Sequence, residues 1–156
     1  MMPSNQKRVL LFDEDFESMR DLKEHIEEEF GWYVTLTAEQ SILERLTRER
    51  FDLLLVDVMI HPVSLDADGQ EVRNVHFEDI SWLRTGLEFL RRLRMGEFSQ
   101  EASSGTPTDV PVIICSAVGD YSAEDALGNQ IKVEGHMEKP FRLKEIVARM
   151  RELLED

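Results

Sequence analysis

Cations are scarce in this chain. Lys and Arg number 18 against 32 Asp and Glu, a formal net charge of −14. Binding a phosphate backbone depends on cationic side chains, so the balance argues against a nucleic-acid surface and against an anionic membrane. It favours solubility, a cation site or a partner with a basic face. Cysteine is nearly missing: Cys115 is the one, in an apolar run, which reads as a buried small side chain in preference to a redox centre. Long hydrophobic runs are missing too. No stretch approaches a transmembrane length, and the start Met-Met-Pro-Ser-Asn-Gln-Lys-Arg lacks the apolar core of a signal peptide. A cytoplasmic location is the default expectation. The four histidines, at positions 25, 61, 76 and 136, show no metal-ligand spacing.

What is present fits a globular protein. The 156 residues predict one domain, 1–156, with a core that needs no staples. The organising stretch is Phe51-Asp52-Leu53-Leu54-Leu55-Val56-Asp57-Val58-Met59. An apolar run without polar alternation reads as a strand buried on both faces. Val9–Phe12 and Val110–Cys115 read the same way, Trp32–Leu36 as an edge strand, and Ile131–Met137 as a weaker one. Helical spacing runs through Met19, Leu22 and Ile26, with Gly31 as the stop. A capping box, Thr37 to Gln40, predicts the start of a second helix burying Ile42, Leu43 and Leu46. A third is expected from Asp79 or Ser81 through Leu83, Leu87, Leu90 and Leu93, a short one is capped by Ser122, and a last one spans 143–154. Strand and helix alternate five times, which predicts a parallel sheet with helices on both faces. Two loops interrupt the alternation, at about 61–80 and about 96–109. The first is far longer than the ~2–6 residues usual in such units.

Polar groups follow the apolar runs: Asp13-Glu14-Asp15, Asp57 and Ser116, with Lys139 before a proline near the fifth strand. In a parallel sheet these ends share one edge. Taken singly, the acids could cap a helix, the serine could satisfy the backbone and the lysine could be a surface residue; that leaves their common edge unexplained. Crowded carboxylates need a counter-ion, and an all-oxygen donor set with few protein ligands suits Mg2+ better than a closed Ca2+ cage. A carboxylate beside Mg2+, a lysine and a hydroxyl makes a phosphoryl-acceptor site, with Asp57 attacking in line to give an acyl phosphate.

At this point the chain resembles the receiver domains of two-component response regulators. The matching stretches are Leu11-Phe12-Asp13-Glu14-Asp15, Leu54-Leu55-Val56-Asp57-Val58-Met59, Ile113-Ile114-Cys115-Ser116-Ala117 and Lys139-Pro140-Phe141. The resemblance implies a flavodoxin-like, doubly wound α/β fold: three layers around a five-stranded parallel sheet of order 2-1-3-4-5. It implies Asp57 as the phosphoacceptor, with Lys139 and Ser116 contacting the phosphoryl group. Mg2+ would be held by Asp13, Glu14, Asp57 and the Met59 carbonyl, with Asp15 as the alternative to Asp13. Ser116 and His136 would form the switch pair. It further implies a histidine kinase or phosphotransfer protein as donor, slow self-dephosphorylation, a protein target as output, and a monomer or weak dimer.

Three departures stand out. The family's acid pair is usually two aspartates, whereas Asp13 and Glu14 align here. His61 occupies the position four after the acceptor, where a proline is usual. A histidine, His136, fills the aromatic position, so its packing is expected to respond to pH. The 61–80 loop is expected either as a lid over the acceptor edge or as a docking surface built on Val72, Val75, Phe77, Ile80 and Trp82. The alternative to a phosphoacceptor is a non-phosphorylated, receiver-like interaction module.

Overall fold

A computed structural model describes residues 6–66, 68–98, 105–116, 132–140 and 142–154. Five strands form one parallel sheet: β1 (Arg8–Phe12), β2 (Tyr33–Leu36), β3 (Leu53–Asp57), β6 (Val112–Ser116) and β7 (Gly135–Glu138). Their spatial order is β2-β1-β3-β6-β7. With the small hairpin β4 (Val63–Leu65) and β5 (Glu71–Arg73) set aside, this is the expected order 2-1-3-4-5. The helices are α1 (Phe16–Phe30), α2 (Ile42–Arg48), α3 (Thr85–Arg94) and α4 (Leu143–Leu154). The short helix expected after Ser122 lies outside the described residues.

The apolar runs divide by parity between the two faces of the sheet, as period-two side chains must. Leu10, Phe12, Leu54, Val56, Val112 and Ile114 join Ile42, Leu46, Phe89, Leu90 and Leu93 of α2 and α3 in one core. Val9, Leu11, Leu53, Leu55, Ile113 and Cys115 join Met19, Leu22, Ile26, Ile146 and Met150 of α1 and α4 in the other. Phe12 and Phe89 stack with ring centroids 4.2 Å apart, which sets α3 against the end of β1. Gly31 ends α1 at φ 68°, its N–H donating to the Glu27 carbonyl at 3.0 Å. This left-handed cap conformation favours glycine.

Four expectations are corrected. First, α2 begins at Ile42, not after Thr37. Thr37 Oγ1 accepts from the Glu39 N–H within a local turn. Glu39 pairs with Asn74, and the Gln40 N–H donates to the Arg73 carbonyl. Bonds from the distant insertion thus hold 38–40 out of the helix, overriding the local capping signal. Second, the 61–80 stretch is not structureless, because it contains the β4–β5 hairpin. Third, Val75 and Phe77 are buried and belong to the α2–α3 core, so they are unavailable for docking. Fourth, strand boundaries shift: the last strand starts at Gly135, and a 3-10 turn over Trp82–Arg84 precedes α3 with Leu83 exposed. Ser81 caps that turn, its side chain accepting from the Leu83 N–H.

On the opposite edge, Arg94 gathers the segments that lead into β6 and β7. Its guanidinium donates to the carbonyls of Lys132, Thr108 and Val110. Burial lowers its pKa from the usual guanidinium value. Thr106, fully buried, accepts from the Phe51 N–H at 3.0 Å and donates to the Glu49 carbonyl at 2.6 Å. These bonds fix the start of β3.

Candidate functional site

Parallel pairing sends every chain out of the sheet at one edge. Phe12 lies opposite Val56, Asp57 opposite Cys115, and Ser116 opposite Glu138. The residues that follow therefore meet there. Asp13 is the first residue beyond β1, Asp57 the last of β3, and Lys139 the first beyond β7. A cavity of about 490 Å³ opens at this edge, lined by Glu14, Asp15, Asp57, Met59, His61, Trp82 and Lys139. Asp13, almost wholly buried, does not line the cavity and meets the site through Lys139.

Lys139 Nζ lies 2.5 Å from Asp13 Oδ2 and 3.8 Å from Asp57 Oδ2. One ammonium thus serves two carboxylates, Asp13 buried and Asp57 half-buried. Burial raises the pKa of Asp57 to about 7, repulsion from Asp13 and Glu14 adds to it, and Lys139 and the Val58 N–H offset only part. Asp13 is also raised, by burial first and by Asp15, against the opposing pull of Lys139. Burial alone would lower Lys139, but Asp13 and Asp57 outweigh it and hold its pKa above the usual value. The pocket therefore contains more negative charge than its own lysine neutralises.

The acidic trio splits into three roles. Asp13 bonds Lys139 and accepts the Asp15 N–H at 2.9 Å. Asp15 caps α1, accepting from the Ser18 N–H. Glu14 turns to the far wall, where its Oε2 takes the His61 N–H at 2.7 Å and His61 Nδ1 at 2.6 Å. The His61 ring stacks on Trp82, with centroids 4.2 Å apart. Met59 is held between two backbone ties: the Gly86 N–H donates to the Val58 carbonyl, and the Ile60 N–H to the Trp82 carbonyl.

The oxygen-only donors and the uncompensated charge fit a hard divalent cation. Among the described residues, however, no three acid, histidine or cysteine side chains already converge as an ion cage. Ser116 ends β6 at this same edge, but the roles expected of its side chain lie outside the described side chains. His136 is half-buried on β7, opposite Ile114.

Two functional residues were missed by sequence reasoning. Gly86 begins the second residue of α3, and a Cβ there would sit 2.0 Å from the Asp57 carbonyl oxygen and 2.8 Å from Val58 Cα. Only glycine lets the helix approach the end of β3 this closely. A lone glycine within the Leu83–Leu93 apolar spacing was its signal. His61, left without a role by sequence, touches Glu14; no spacing rule links residues 14 and 61.

No family model matches the chain. Among curated proteins it is similar to the response regulator MprA of Mycobacterium tuberculosis, 27% identical over 149 residues, covering 94% of this chain. The chain spans about half (50%) of that protein's length. Among solved structures, a putative response regulator from Chloroflexus aurantiacus J-10-fl superposes with a TM-score of 0.61 at 22% identity, covering 97% of this chain and 99% of the other. The receiver domain of the sensor histidine kinase PA1611 from Pseudomonas aeruginosa PAO1, which has a magnesium ion in its active-site cleft, gives 0.59 at 18% identity, with 97% and 99% covered. A response regulator protein from Burkholderia pseudomallei, with a phosphorylated aspartic acid and a calcium ion, gives 0.55 at 14% identity, with 96% and 67% covered. With the sheet order, the converging strand ends and these likenesses together, this chain has the receiver fold of response regulators along nearly its whole length and resembles response regulators in sequence.

Proposed function

We propose that the chain is a phosphoacceptor in a two-component phosphorelay, phosphorylated on Asp57. The observation that supports this most is Lys139, held between Asp13 and Asp57 under an open cavity. Asp57 lines that cavity beside Lys139. A phosphohistidine on a histidine kinase or phosphotransfer protein is the donor class that the fold suggests. Asp57 Oδ attacks the phosphorus, an O–P bond forms, the P–N bond of the donor breaks, and the donor histidine, already carrying a proton on its other ring nitrogen, leaves with the electron pair as neutral imidazole. No proton moves if Asp57 is ionised, and Lys139 favours that state. As the P–N bond lengthens, the Lys139 ammonium is placed to follow charge onto a phosphoryl oxygen, moving from Asp13 toward Asp57.

Asp13, Asp57, the Met59 carbonyl and Glu14 would hold Mg2+, which, when bound, neutralises phosphoryl charge. The magnesium-loaded cleft of the PA1611 receiver and the phosphorylated aspartic acid of the Burkholderia protein support this reading. Output would pass through contacts with a protein target. The test is beryllofluoride with Mg2+, a phosphoryl mimic. Saturable binding that Asp57→Asn abolishes supports a phosphoacceptor. Equal behaviour of the two proteins would leave the non-phosphorylated interaction module.

A further inference from the structure

Glu14 is one methylene longer than the aspartate usual in its place, and the structure shows what holds that extra reach. Both donors of His61 converge on Glu14 Oε2, the backbone N–H at 2.7 Å and Nδ1 at 2.6 Å. An ionised carboxylate only accepts, so Nδ1 carries the hydrogen. The ring is fixed by its stack on Trp82. The His61 backbone is fixed by Asn74, a buried residue of the insertion. The Asn74 side-chain amide donates to the His61 carbonyl at 2.9 Å and to Ser64 Oγ at 2.9 Å, and its own N–H donates to the Pro62 carbonyl. Asn74 in turn pairs with Glu39 beside β2. The insertion thus acts as a buttress. Among the described residues of the insertion, only His61 lines the cavity, beside Trp82 of the turn that follows.

We propose that His61 is a positioning residue that holds Glu14 away from the cation position and so weakens and tunes cation binding. The proposal rests on the phosphoacceptor reading. It also accounts for three acids reaching one pocket without converging as a cage among the described residues. For Glu14 Oε2 to ligate, it must release the ring.

The experiment is calorimetric titration of the full chain with MgCl2, for the wild type, His61→Ala, Glu14→Gln and the double variant, with circular dichroism as the folding check. Because the ring is 57% exposed, its loss should tighten Mg2+ binding by about fivefold, the range of one half-exposed charged hydrogen bond. The gain should vanish in the Glu14→Gln background, whereas a general structural role would change both backgrounds alike. Trp82→Leu, which removes the stack and leaves His61 in place, should give a smaller gain in the same direction and serves if His61→Ala does not fold. Unchanged or weaker binding by His61→Ala, or a gain that persists without Glu14, overturns the clamp while the phosphoacceptor reading stands. No Mg2+ binding by the wild type overturns both.

Discussion

Replacing Asp57 by Asn should stabilise the cation-free protein, although it removes the residue on which the proposed function turns. In the folded chain the Asp57 carboxyl is pushed from an ordinary 3.8 to about 7, by burial first and then by Asp13. The native state therefore binds this proton more tightly than the unfolded chain does. Its stabilising effect is complete below about pH 4 and is lost as pH rises through about 7. At about 1.4 kcal/mol per pKa unit, ionised Asp57 costs about 4 kcal/mol at pH 8. Part of that is repulsion shared with Asp13, and the amide still needs its hydrogen bonds, so the expected net gain is about 2 kcal/mol. For a chain of this size that is roughly 4–8 °C in Tm. The assay is urea unfolding in EDTA at pH 8 and pH 5. The variant should be the more stable at pH 8, and the gain should fall to well under half at pH 5, where native Asp57 is protonated. A variant less stable than the wild type at pH 8, or an equal difference at both pH values, refutes the reasoning.

Three further outcomes are expected. Gly86→Ala forces a methyl into the Asp57 carbonyl, 2.0 Å away; the backbone must shift, with a loss of about 3 kcal/mol or more in urea unfolding and lost beryllofluoride binding in whatever fraction folds. Thr106→Val removes both bonds of a buried hydroxyl and should cost about 2 kcal/mol, measured the same way. Cys115, buried and with its thiol pushed up to about 12, should resist thiol reagents at pH 8 in the native protein and react once urea unfolds it.

The sheet was legible because both faces are covered: runs such as Leu53–Val56 have no polar alternation to confuse with a helix. The shared edge followed from parallel topology, so Asp13, Asp57 and Lys139 could be placed near one another from sequence. What was not legible depends on bonds across the chain. Asn74 and Arg73 draw residues 39 and 40 out of the helix that their capping box predicts. Phe77 and Val75 looked like exposed loop residues because burial in an insertion leaves no period to read. His61 gains its partner 47 positions away. The division of the acids, with Asp13 on the lysine, Glu14 on the histidine and Asp15 on the helix end, is set by side-chain reach that strand alignment alone does not resolve.

The central claim is that Asp57 takes up a phosphoryl group, and intact-mass spectrometry after incubation with acetyl phosphate and Mg2+ tests it most directly. One added phosphoryl group, labile to hydroxylamine and missing from Asp57→Asn, is the predicted result. An unmodified wild-type chain, or a modification that persists without Asp57, would contradict it.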